Sequence, residues 1–343
     1  MNDDSKVKGF YKNSLAHALN PRSFQLVLFP TEQCNFRCVY CYEDFEIGKM
    51  PEWVVSAIKI FLENKIPTLD RLSLSWFGGE PLLATRTIYE IAEFAQKIAS
   101  INNCQIVGDV TTNGYLLDLK TLTRFAELKQ NDFQISIDGD QLGHDKTRIK
   151  QNGSGTFKQI WDNLITAAES ELEFKIKLRV HISDLNQKSV LVFLERYDNS
   201  ILSGDHRFRL FFHEIVNLGG DQEVINSLSG MQTASQMVKS LNRRYEKQAV
   251  NMNKNGNYIC YAGKPNSLAI RADGNLNKCT VALSDERNNI GKINPDGTLT
   301  INNQKFSTWI KGFTTLDSWQ MGCPLSYMNQ HSSVGDIEIK KVS

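Results

Sequence analysis

The sequence carries almost no net charge and has no long apolar run. Its 39 Lys and Arg residues nearly balance 38 Asp and Glu residues, so the formal net charge of the 343-residue chain is +1. This balance gives no electrostatic basis for binding nucleic acid or an anionic membrane. No run is long enough to cross a bilayer, and residues 1–13 lack the apolar core of a secretion signal. We therefore expect a cytoplasmic protein with neither nucleic-acid nor membrane partners.

The sequence also lacks the cysteine pattern of a disulfide-bonded protein. Seven cysteines is an odd number, and no secretion signal directs the chain to an oxidising compartment. The cysteines are therefore expected to bind metal rather than to form disulfides. Three of them, Cys34, Cys38 and Cys41, follow the apolar run at residues 24–29 with the spacing C-x-x-x-C-x-x-C. No fourth cysteine is near them in the sequence.

Three thiolates at this spacing can bind three irons of a 4Fe–4S cube and leave the fourth iron open to a substrate or cofactor. A structural zinc site is the disfavoured alternative, because such sites pair C-x-x-C units and fill all four ligand positions. The motif resembles the signature of the radical S-adenosylmethionine (radical SAM) enzymes. This resemblance implies a 4Fe–4S cluster on Cys34, Cys38 and Cys41, and S-adenosylmethionine as a second cofactor. It also places Tyr40, the aromatic residue before Cys41, beside the adenine.

Apolar strand-like runs alternate with helical patterns over the first two thirds of the chain. The runs are residues 24–29, 72–77, 105–111, 133–137, 175–182 and 208–213. Six β/α units in series predict an α/β fold with a parallel sheet and helices outside it. The family resemblance narrows this to a partial (β/α)6 TIM-type barrel, whose chemistry lies at the C-terminal ends of the strands. Cys34, Gly78 and Asp138 each follow a predicted strand, so we expect them at the same mouth.

The sequence divides into four predicted segments. Residues 1–23 are an N-terminal extension, and residues 24–215 are the radical SAM partial barrel. Residues 216–255 are a polar connector with a long helix at about residues 223–249. Residues 256–343 form a short, turn-rich C-terminal module that contains a β-hairpin and three more cysteines.

Further cofactor contacts are implied by the family resemblance. In the run Trp-Phe-Gly-Gly-Glu-Pro, residues 76–81, the glycines let the backbone approach a ligand closely. The resemblance implies that Gly78, Gly79 and Glu80 bind the amino group of the cofactor's methionine moiety. The alternative for this run alone is a tight turn with a solvated glutamate. The Thr-Thr-Asn-Gly element at residues 111–114 is expected to line the cavity.

Another element, D-G-x-x-x-x-H-D-x-x-R, begins at the end of the fourth strand. It resembles the subgroup that contains the anaerobic sulfatase-maturating enzymes and the peptide maturases. The resemblance assigns Ser136 to the ribose and Arg148 to the cofactor's carboxylate, which a planar bidentate guanidinium suits. Asp138 shares a strand face with Ser136 and is included among the cofactor-binding residues. Asn186 is a further candidate for ribose contact, and His144 has either a chemical or a structural role.

The C-terminal module begins like an auxiliary-cluster motif. Cys260 and Cys279 enclose the predicted hairpin, and Cys323 follows in a later loop. The pattern resembles the family's SPASM module in its truncated form, twitch, although Gln320 breaks the C-x-x-C pair that twitch has. We expect one auxiliary 4Fe–4S cluster on these three cysteines, and the alternative is a vestigial module with three buried thiols. Cys104, at the strand end away from the mouth, is interpreted as a core residue.

The resemblance implies an enzyme that cleaves S-adenosylmethionine reductively to a 5′-deoxyadenosyl radical, which abstracts hydrogen from the substrate. The first hypothesis is an oxidoreductase that matures a ribosomally made peptide (a RiPP) by cross-linking, thioether formation or epimerisation. The alternatives are a sulfatase activator that makes formylglycine and a twitch-type dehydrogenase of a small molecule. The implied partners are a precursor peptide and an electron donor such as flavodoxin or ferredoxin. Leader recognition needs a separate protein or the barrel's own surface. No catalytic residue is identified at this stage.

Overall fold

A computed structural model of the protein describes residues 13–216, 218, 228, 232–245 and 258–331. The strands are β1 Ser23–Thr31, β2 Phe36–Cys38, β3 Arg71–Gly78, β4 Gln105–Thr112, β5 Asp132–Ile137, β6 Arg148–Lys150, β7 Lys175–Ile182, β8 Phe208–Glu214, β9 Ser267–Ile270, β10 Asn275–Asn277, β11 Asn289–Ile293 and β12 Leu299–Ile301. The helices are α1 Glu52–Lys65, α2 Thr85–Ile101, α3 Leu119–Glu127, α4 Gln141–Thr147, α5 Phe157–Ala168, α6 Gln187–Asp198, α7 Gln232–Tyr245, α8 Asn303–Ile310, α9 Gly312–Thr315, α10 Ser318–Gly322 and α11 Pro324–His331.

The predicted parallel α/β core is confirmed. In a ten-stranded sheet, hydrogen-bonded neighbours follow the order β12-β11-β10-β9-β1-β3-β4-β5-β7-β8. The six strands from β1 to β8 in this order run parallel to one another. Helices α1 to α6 lie in the connections between them, because parallel neighbours need a crossover. The sheet is open, as in a partial barrel, since β1 pairs with β9 and not with β8.

Strand β7 shows how the parallel sheet separates apolar from polar side chains. Its alternate residues from Ile176 to Ile182 are at most 1% exposed and belong to the hydrophobic core. The residues between them, Lys177, Arg179 and His181, are half-buried and point to the opposite face. Polar groups therefore collect on the inner face of the sheet, and those near the C-terminal strand ends are available to a site.

A small antiparallel ribbon of β2 and β6 crosses the C-terminal side of the sheet. Its register pairs Phe36 with Lys150 and Cys38 with Arg148. A backbone hydrogen bond of 2.9 Å from Val39 to the Thr147 carbonyl extends the pairing. The ribbon therefore holds the second cysteine of the front motif directly opposite Arg148.

The C-terminal segment continues the barrel's own sheet. Strand β9 pairs in parallel with β1, and β10, β11 and β12 follow as antiparallel neighbours. The predicted hairpin is present as β9 and β10, and Gly274 in its turn has a φ of +87°. A Cβ on Gly274 would lie 2.9 Å from the Trp53 ring, so a larger residue would be strained there and would collide. The division of the chain into four segments stays a prediction.

The connector helix predicted at about residues 223–249 is described only over α7. There, the Tyr245 ring packs on Phe212 of β8 at 5.5 Å between centroids. The side-chain amide of Asn242 exchanges two hydrogen bonds with the Phe212 backbone, of 3.2 and 3.0 Å. The rest of the predicted helix, apart from residue 228, lies outside the described residues.

None of the described helices combines the length and the apolar character needed to cross a membrane.

Candidate functional site

A cavity of about 180 Å³ lies at the C-terminal ends of the parallel strands. It brings together residues that the sequence analysis took from four separate motifs. Those that line it are Cys34, Cys38, Tyr40, Cys41, Gly78, Gly79, Thr111, Thr112, Asn113, Ser136 and Arg148. Of the other predicted residues near the front cysteines, Glu80, Asp138 and Asn186 are buried behind the cavity wall.

The three front cysteines are free thiols. Cys34 lies in the loop after β1, Cys38 is the last residue of β2, and Cys41 lies in the loop after β2. Burial raises the pKa of Cys34 to about 12 and that of Cys41 to about 11, and the charges of neighbouring cysteines add to both shifts. Protons or a bound cation are therefore needed to offset the charges of these thiolates. This grouping of three buried thiols fits an iron–sulfur cube, in which each thiolate binds a separate iron. Among the described residues, no group of three or more His, Cys, Asp or Glu side chains is placed to hold a single metal ion.

Asp138 is a buried carboxylate with three side-chain partners next to the cavity. It is fully buried and accepts hydrogen bonds from Tyr40 at 2.7 Å and from Thr147 at 2.6 Å. His181 Nδ1 lies 3.2 Å from the same carboxylate. Burial alone would raise the pKa of Asp138, but the hydrogen bond with His181 and the charge of Arg148 outweigh it and hold the pKa well below its usual range. Asp138 is therefore an anion at any physiological pH.

Arg148 faces the cavity with part of its guanidinium unsatisfied. Its Nη1 donates to the Tyr40 hydroxyl at 2.9 Å, whereas its Nε is buried with no hydrogen-bond partner among the described residues. Such an orphaned donor is costly unless a ligand accepts from it. Because the β2–β6 ribbon fixes Arg148 opposite Cys38, an anionic ligand at this place would lie beside the front cysteines.

His144 makes the contacts of a structural residue. It is fully buried and does not line the cavity. Its Nδ1 accepts from the Asp138 backbone N–H at 3.3 Å, and its Nε2 lies 3.1 Å from the Thr156 hydroxyl. That hydroxyl donates to the Arg148 carbonyl at 2.6 Å, so His144 helps to position both Asp138 and Arg148. Burial lowers the pKa of His144 to about 4, which keeps the ring neutral.

The Gly-Gly-Glu turn presents its backbone to the cavity. Gly78 has a φ of +114°, and a Cβ there would lie 2.2 Å from the Thr31 carbonyl oxygen. The Glu80 carboxylate is fully buried and accepts three hydrogen bonds, from Thr112 Oγ1 at 2.7 Å, Asn113 N at 2.7 Å and Leu82 N at 2.9 Å. Glu80 therefore stabilises the turn from the side away from the cavity. Of this motif, Gly78 and Gly79 line the cavity.

Asn186 is likewise occupied by the chain itself. Its side-chain N–H groups donate to the carbonyls of Asp138 and His181, both at 2.9 Å, and its Oδ1 accepts from Ser183 N at 2.8 Å. It caps the start of α6 and does not line the cavity. Its ribose contact stays a prediction that these hydrogen bonds do not favour.

Several cavity residues were not found in the sequence analysis. They are Tyr42, Glu43, Gln134, Arg179, His181 and Glu214. Burial, and then the charge of Glu32, raise the pKa of Glu43 to about 8, and its Oε2 is buried without a described partner. The signals available were the position of Glu43 two residues after the last front cysteine and the inward alternation of Arg179 and His181 on β7.

The three C-terminal cysteines approach one another beside the hairpin. A 2.9 Å hydrogen bond from Cys260 N to the Met321 carbonyl brings the first of them to the loop that holds Cys323. Burial raises the pKa of Cys260 to about 11, and the charges of Cys279 and Cys323 add to this shift. Next to Cys279, Lys278 is buried with its ammonium on two carbonyls at 2.5 and 2.6 Å, and no ion pair with a described carboxylate is found.

Cys104 lies away from both groups of cysteines. It is 8% exposed, directly precedes β4 and packs in the hydrophobic core. It does not line the cavity.

The fold and the cavity define a radical SAM domain, and sequence comparison agrees. Residues 28–184 match the model of the Radical SAM superfamily. This part of the chain is therefore a domain of an enzyme superfamily that uses a 4Fe–4S cluster and S-adenosylmethionine.

Curated relatives match parts of the chain at low identity. Molybdenum cofactor biosynthesis protein 1 of Dictyostelium discoideum is 27% identical over 306 residues, which cover 78% of this chain and 44% of that protein. A cysteine-type anaerobic sulfatase-maturating enzyme of Clostridium novyi (strain NT) is 26% identical over 165 residues, which cover 45% of this chain and 43% of that enzyme. The chain thus spans less than half the length of these two relatives.

Solved structures share the fold. Native anSMEcpe with bound AdoMet and Cp18Cys peptide superposes with a TM-score of 0.60 at 17% identity, covering 83% of this chain and 80% of that one. Streptococcus suis SuiB bound to precursor peptide SuiA gives a TM-score of 0.52 at 14% identity, covering 86% of this chain and 67% of that one. At these identities, the likeness shows the fold alone.

Proposed function

We propose that the protein is a radical SAM maturase that abstracts hydrogen from a ribosomally made peptide. When bound, the cluster and S-adenosylmethionine supply the 5′-deoxyadenosyl radical; the chain supplies binding, orientation and exclusion of water. The observation that carries the proposal is the shared cavity of Cys34, Cys38 and Cys41 with the Gly78–Gly79 turn and Arg148. Each of these groups matches one part of the two cofactors.

In this proposal, each part of the cavity wall has one task. The three front thiolates bind three irons, and the backbone of Gly78 and Gly79 holds the cofactor's ammonium group. The unsatisfied Nε of Arg148, which lies opposite Cys38 in the ribbon, would donate to the cofactor's carboxylate. Ser136, on the same inner face as Gln134, contacts the ribose. Asp138 and His144 stand behind these groups and fix their positions.

A peptide substrate is supported by two structural neighbours that were solved with a bound peptide. The rim of the cavity is formed by Ile215, Val216 and Leu218 after β8, and the last two are exposed. Apolar side chains at the rim suit an extended peptide that enters from solvent. An electron donor such as flavodoxin or ferredoxin, and a leader-recognition protein, complete the proposal.

The C-terminal cysteines are proposed to hold one auxiliary 4Fe–4S cluster. The backbone N–H of Cys260 donates to the carbonyl of Met321, two residues before Cys323, at 2.9 Å, and the charges of Cys279 and Cys323 add to the raised pKa of Cys260. The buried Lys278 gives a second argument, because burial lowers the pKa of its amine to about 7 and no carboxylate of the described residues offsets this shift. An anionic, thiolate-bound cluster beside it would supply the missing negative charge.

The alternative is activation of a sulfatase by formylglycine formation, which the match to the sulfatase-maturating enzyme favours. A transfer experiment separates the two. Reconstituted, reduced protein is given S-adenosylmethionine and a perdeuterated peptide encoded next to its gene. The maturase proposal predicts deuterium in 5′-deoxyadenosine and a modified peptide. Deuterium transfer only from a sulfatase-derived Cys or Ser peptide, or only from a small molecule, would refute the maturase proposal.

A further inference from the structure

We propose that Arg179 binds a carboxylate of the substrate, so that the preferred substrate is a peptide with an acidic group near the reacting position. This inference rests on the proposed function and names a substrate feature that the proposed function leaves open. It starts from a guanidinium that lines the cavity and has no counter-ion in the described part of the chain.

The surroundings of Arg179 leave it without an acceptor. Its Nε is buried and lacks a hydrogen-bond partner among the described residues. Asp138, the nearby permanent anion, already accepts from Tyr40 and Thr147, and His181 Nδ1 lies 3.2 Å from it. None of the ion pairs found between described residues includes Arg179, although the carboxyl groups of Glu43 and Glu214 line the same cavity. A partly buried guanidinium of this kind is stabilised by an anionic ligand.

The cofactor does not supply that anion. S-adenosylmethionine has one carboxylate, and Arg148 is the guanidinium next to the front cysteines, directly opposite Cys38 in the ribbon. Arg179 is on a different element, strand β7, where its register partners are Ser136 of β5 and Phe211 of β8. The cofactor has one carboxylate and the cavity has two guanidinium groups. If Arg148 binds the cofactor, Arg179 is available for an anion of the substrate.

The location of Arg179 agrees with a substrate contact. The hydroxyl of its neighbour Tyr42 donates to the Thr280 carbonyl at 3.4 Å, directly after Cys279. Arg179 is therefore on the side of the cavity that faces the C-terminal module. The rim residues after β8 lie on the adjacent strand end, so a peptide that enters there passes Arg179.

The chemistry of the ligand follows from the guanidinium. Its planar fork binds a carboxylate with two parallel hydrogen bonds and does not bind a neutral amide in this way. In a peptide, the carboxylate is either an Asp or Glu side chain or the C-terminal carboxylate. Both sources present the same group to Arg179, and the test is designed to separate them.

The test uses the reconstituted holoenzyme with S-adenosylmethionine bound and three acetylated pentapeptides. The first has a central Glu and an amidated C-terminus, the second has Gln in place of Glu, and the third is the Gln peptide with a free C-terminal carboxylate. Binding of each peptide is measured by saturation-transfer NMR with wild type, Arg179→Gln and Arg179→Lys. Arg22→Gln, which removes an exposed guanidinium paired with Asp70, is the matched control.

We expect wild type to bind one or both acidic peptides at least tenfold more tightly than the Gln amide. Arg179→Gln should lose this preference, Arg179→Lys should retain part of it, and Arg22→Gln should keep it. Preference for the first peptide identifies a side-chain carboxylate, and preference for the third identifies the chain terminus. S-adenosylmethionine affinity should fall far less in Arg179→Gln than in Arg148→Gln, and this titration also shows that each variant is folded.

Three results would overturn the inference. The first is that wild type binds acidic and amide peptides equally well, or binds neither. The second is that the preference for acidic peptides survives in Arg179→Gln. The third is that Arg179→Gln loses as much affinity for S-adenosylmethionine as Arg148→Gln does. Failure of the proposed function is recognised separately. In that case, the transfer experiment shows no deuterium passing from the precursor peptide to 5′-deoxyadenosine, whatever the pentapeptides bind.

Discussion

Tyr40 and Asp138, which are 98 residues apart in the sequence, are joined by a hydrogen bond of 2.7 Å in the wall of the cavity. The same Tyr40 hydroxyl accepts from Arg148 Nη1 at 2.9 Å. One phenol therefore connects the loop of the front cysteines to a buried anion and to a buried cation. This connection sets the position of Arg148 in the proposed cofactor site.

Replacing Tyr40 by Phe should destabilise the fold, because it removes the hydroxyl that joins Asp138 and Arg148. Asp138 and Arg148 would each lose a hydrogen-bond partner while buried, so the free energy of unfolding should fall by about 1–3 kcal/mol. Urea unfolding measures the change. Tyr245→Phe is the control, since Tyr245 donates to Asp198 at 2.9 Å away from the cavity. Equal losses in the two variants would show that the Tyr40 connection is no more important than a peripheral one.

Arg148→Lys keeps the positive charge and removes the planar fork. We expect S-adenosylmethionine to bind about 1–2 kcal/mol more weakly, as for the loss of a charge-assisted hydrogen bond. The measurement is a direct binding titration of the reconstituted protein, with the exposed Arg22→Lys as control. Unchanged affinity in Arg148→Lys would leave Arg148 with a structural role only.

The burial of His144 should make the fold sensitive to acid. An unfolded His binds a proton near pH 6.5, whereas burial lowers the pKa of His144 to about 4 in the folded protein. Between these values, the unfolded state binds more protons, so the free energy of unfolding falls as the pH falls from 6.5 to 4. At 1.36 kcal/mol per pKa unit, this group contributes about 3 kcal/mol to that loss.

The pH effect is tested by urea unfolding of wild type and His144→Gln at pH 7, 6 and 5. The variant should lose less stability on acidification than wild type. His206→Gln is the control, because the His206 side chain is 90% exposed. If His144→Gln follows the same pH dependence as wild type, His144 does not titrate with a lowered pKa.

The C-terminal cysteines give a prediction about iron content. Reconstituted wild type should hold about eight irons, as two four-iron clusters, and the Cys260→Ala/Cys279→Ala/Cys323→Ala variant should hold about four. Cys104→Ala should keep the full content, because this cysteine directly precedes β4, at the strand end opposite the cavity, and does not line the cavity. Full iron content in the triple variant would identify a vestigial module without a cluster.

Much of the fold and part of the site could be predicted from the sequence because those features are local. Alternating apolar runs identify a parallel sheet, and the strand-end rule then places Cys34, Gly78 and Asp138 at one mouth. Cys34 and Gly78 line the cavity there, whereas Asp138 is buried behind its wall. The glycine turn could be predicted for the same reason. The φ of +114° at Gly78 is a local backbone property that favours glycine.

The remaining features depend on partners far apart in the sequence. The pairing of Cys38 with Arg148 requires the β2–β6 ribbon, whose strands have three residues each. The hydrogen bonds that occupy Glu80 and Asn186 come from other units of the sheet. Arg179 is an ordinary inward residue of β7 in the sequence, and its lack of an acceptor becomes visible only when its neighbours are known.

The most direct test of the account is the formation of 5′-deoxyadenosine by the Cys34→Ala/Cys38→Ala/Cys41→Ala variant, measured with its iron content. The three thiols line the same cavity as the proposed cofactor-binding groups, and the account makes them the ligands of the cluster that cleaves S-adenosylmethionine. It predicts no 5′-deoxyadenosine and a loss of about four irons relative to wild type. Cofactor cleavage that persists in the triple variant would contradict the account.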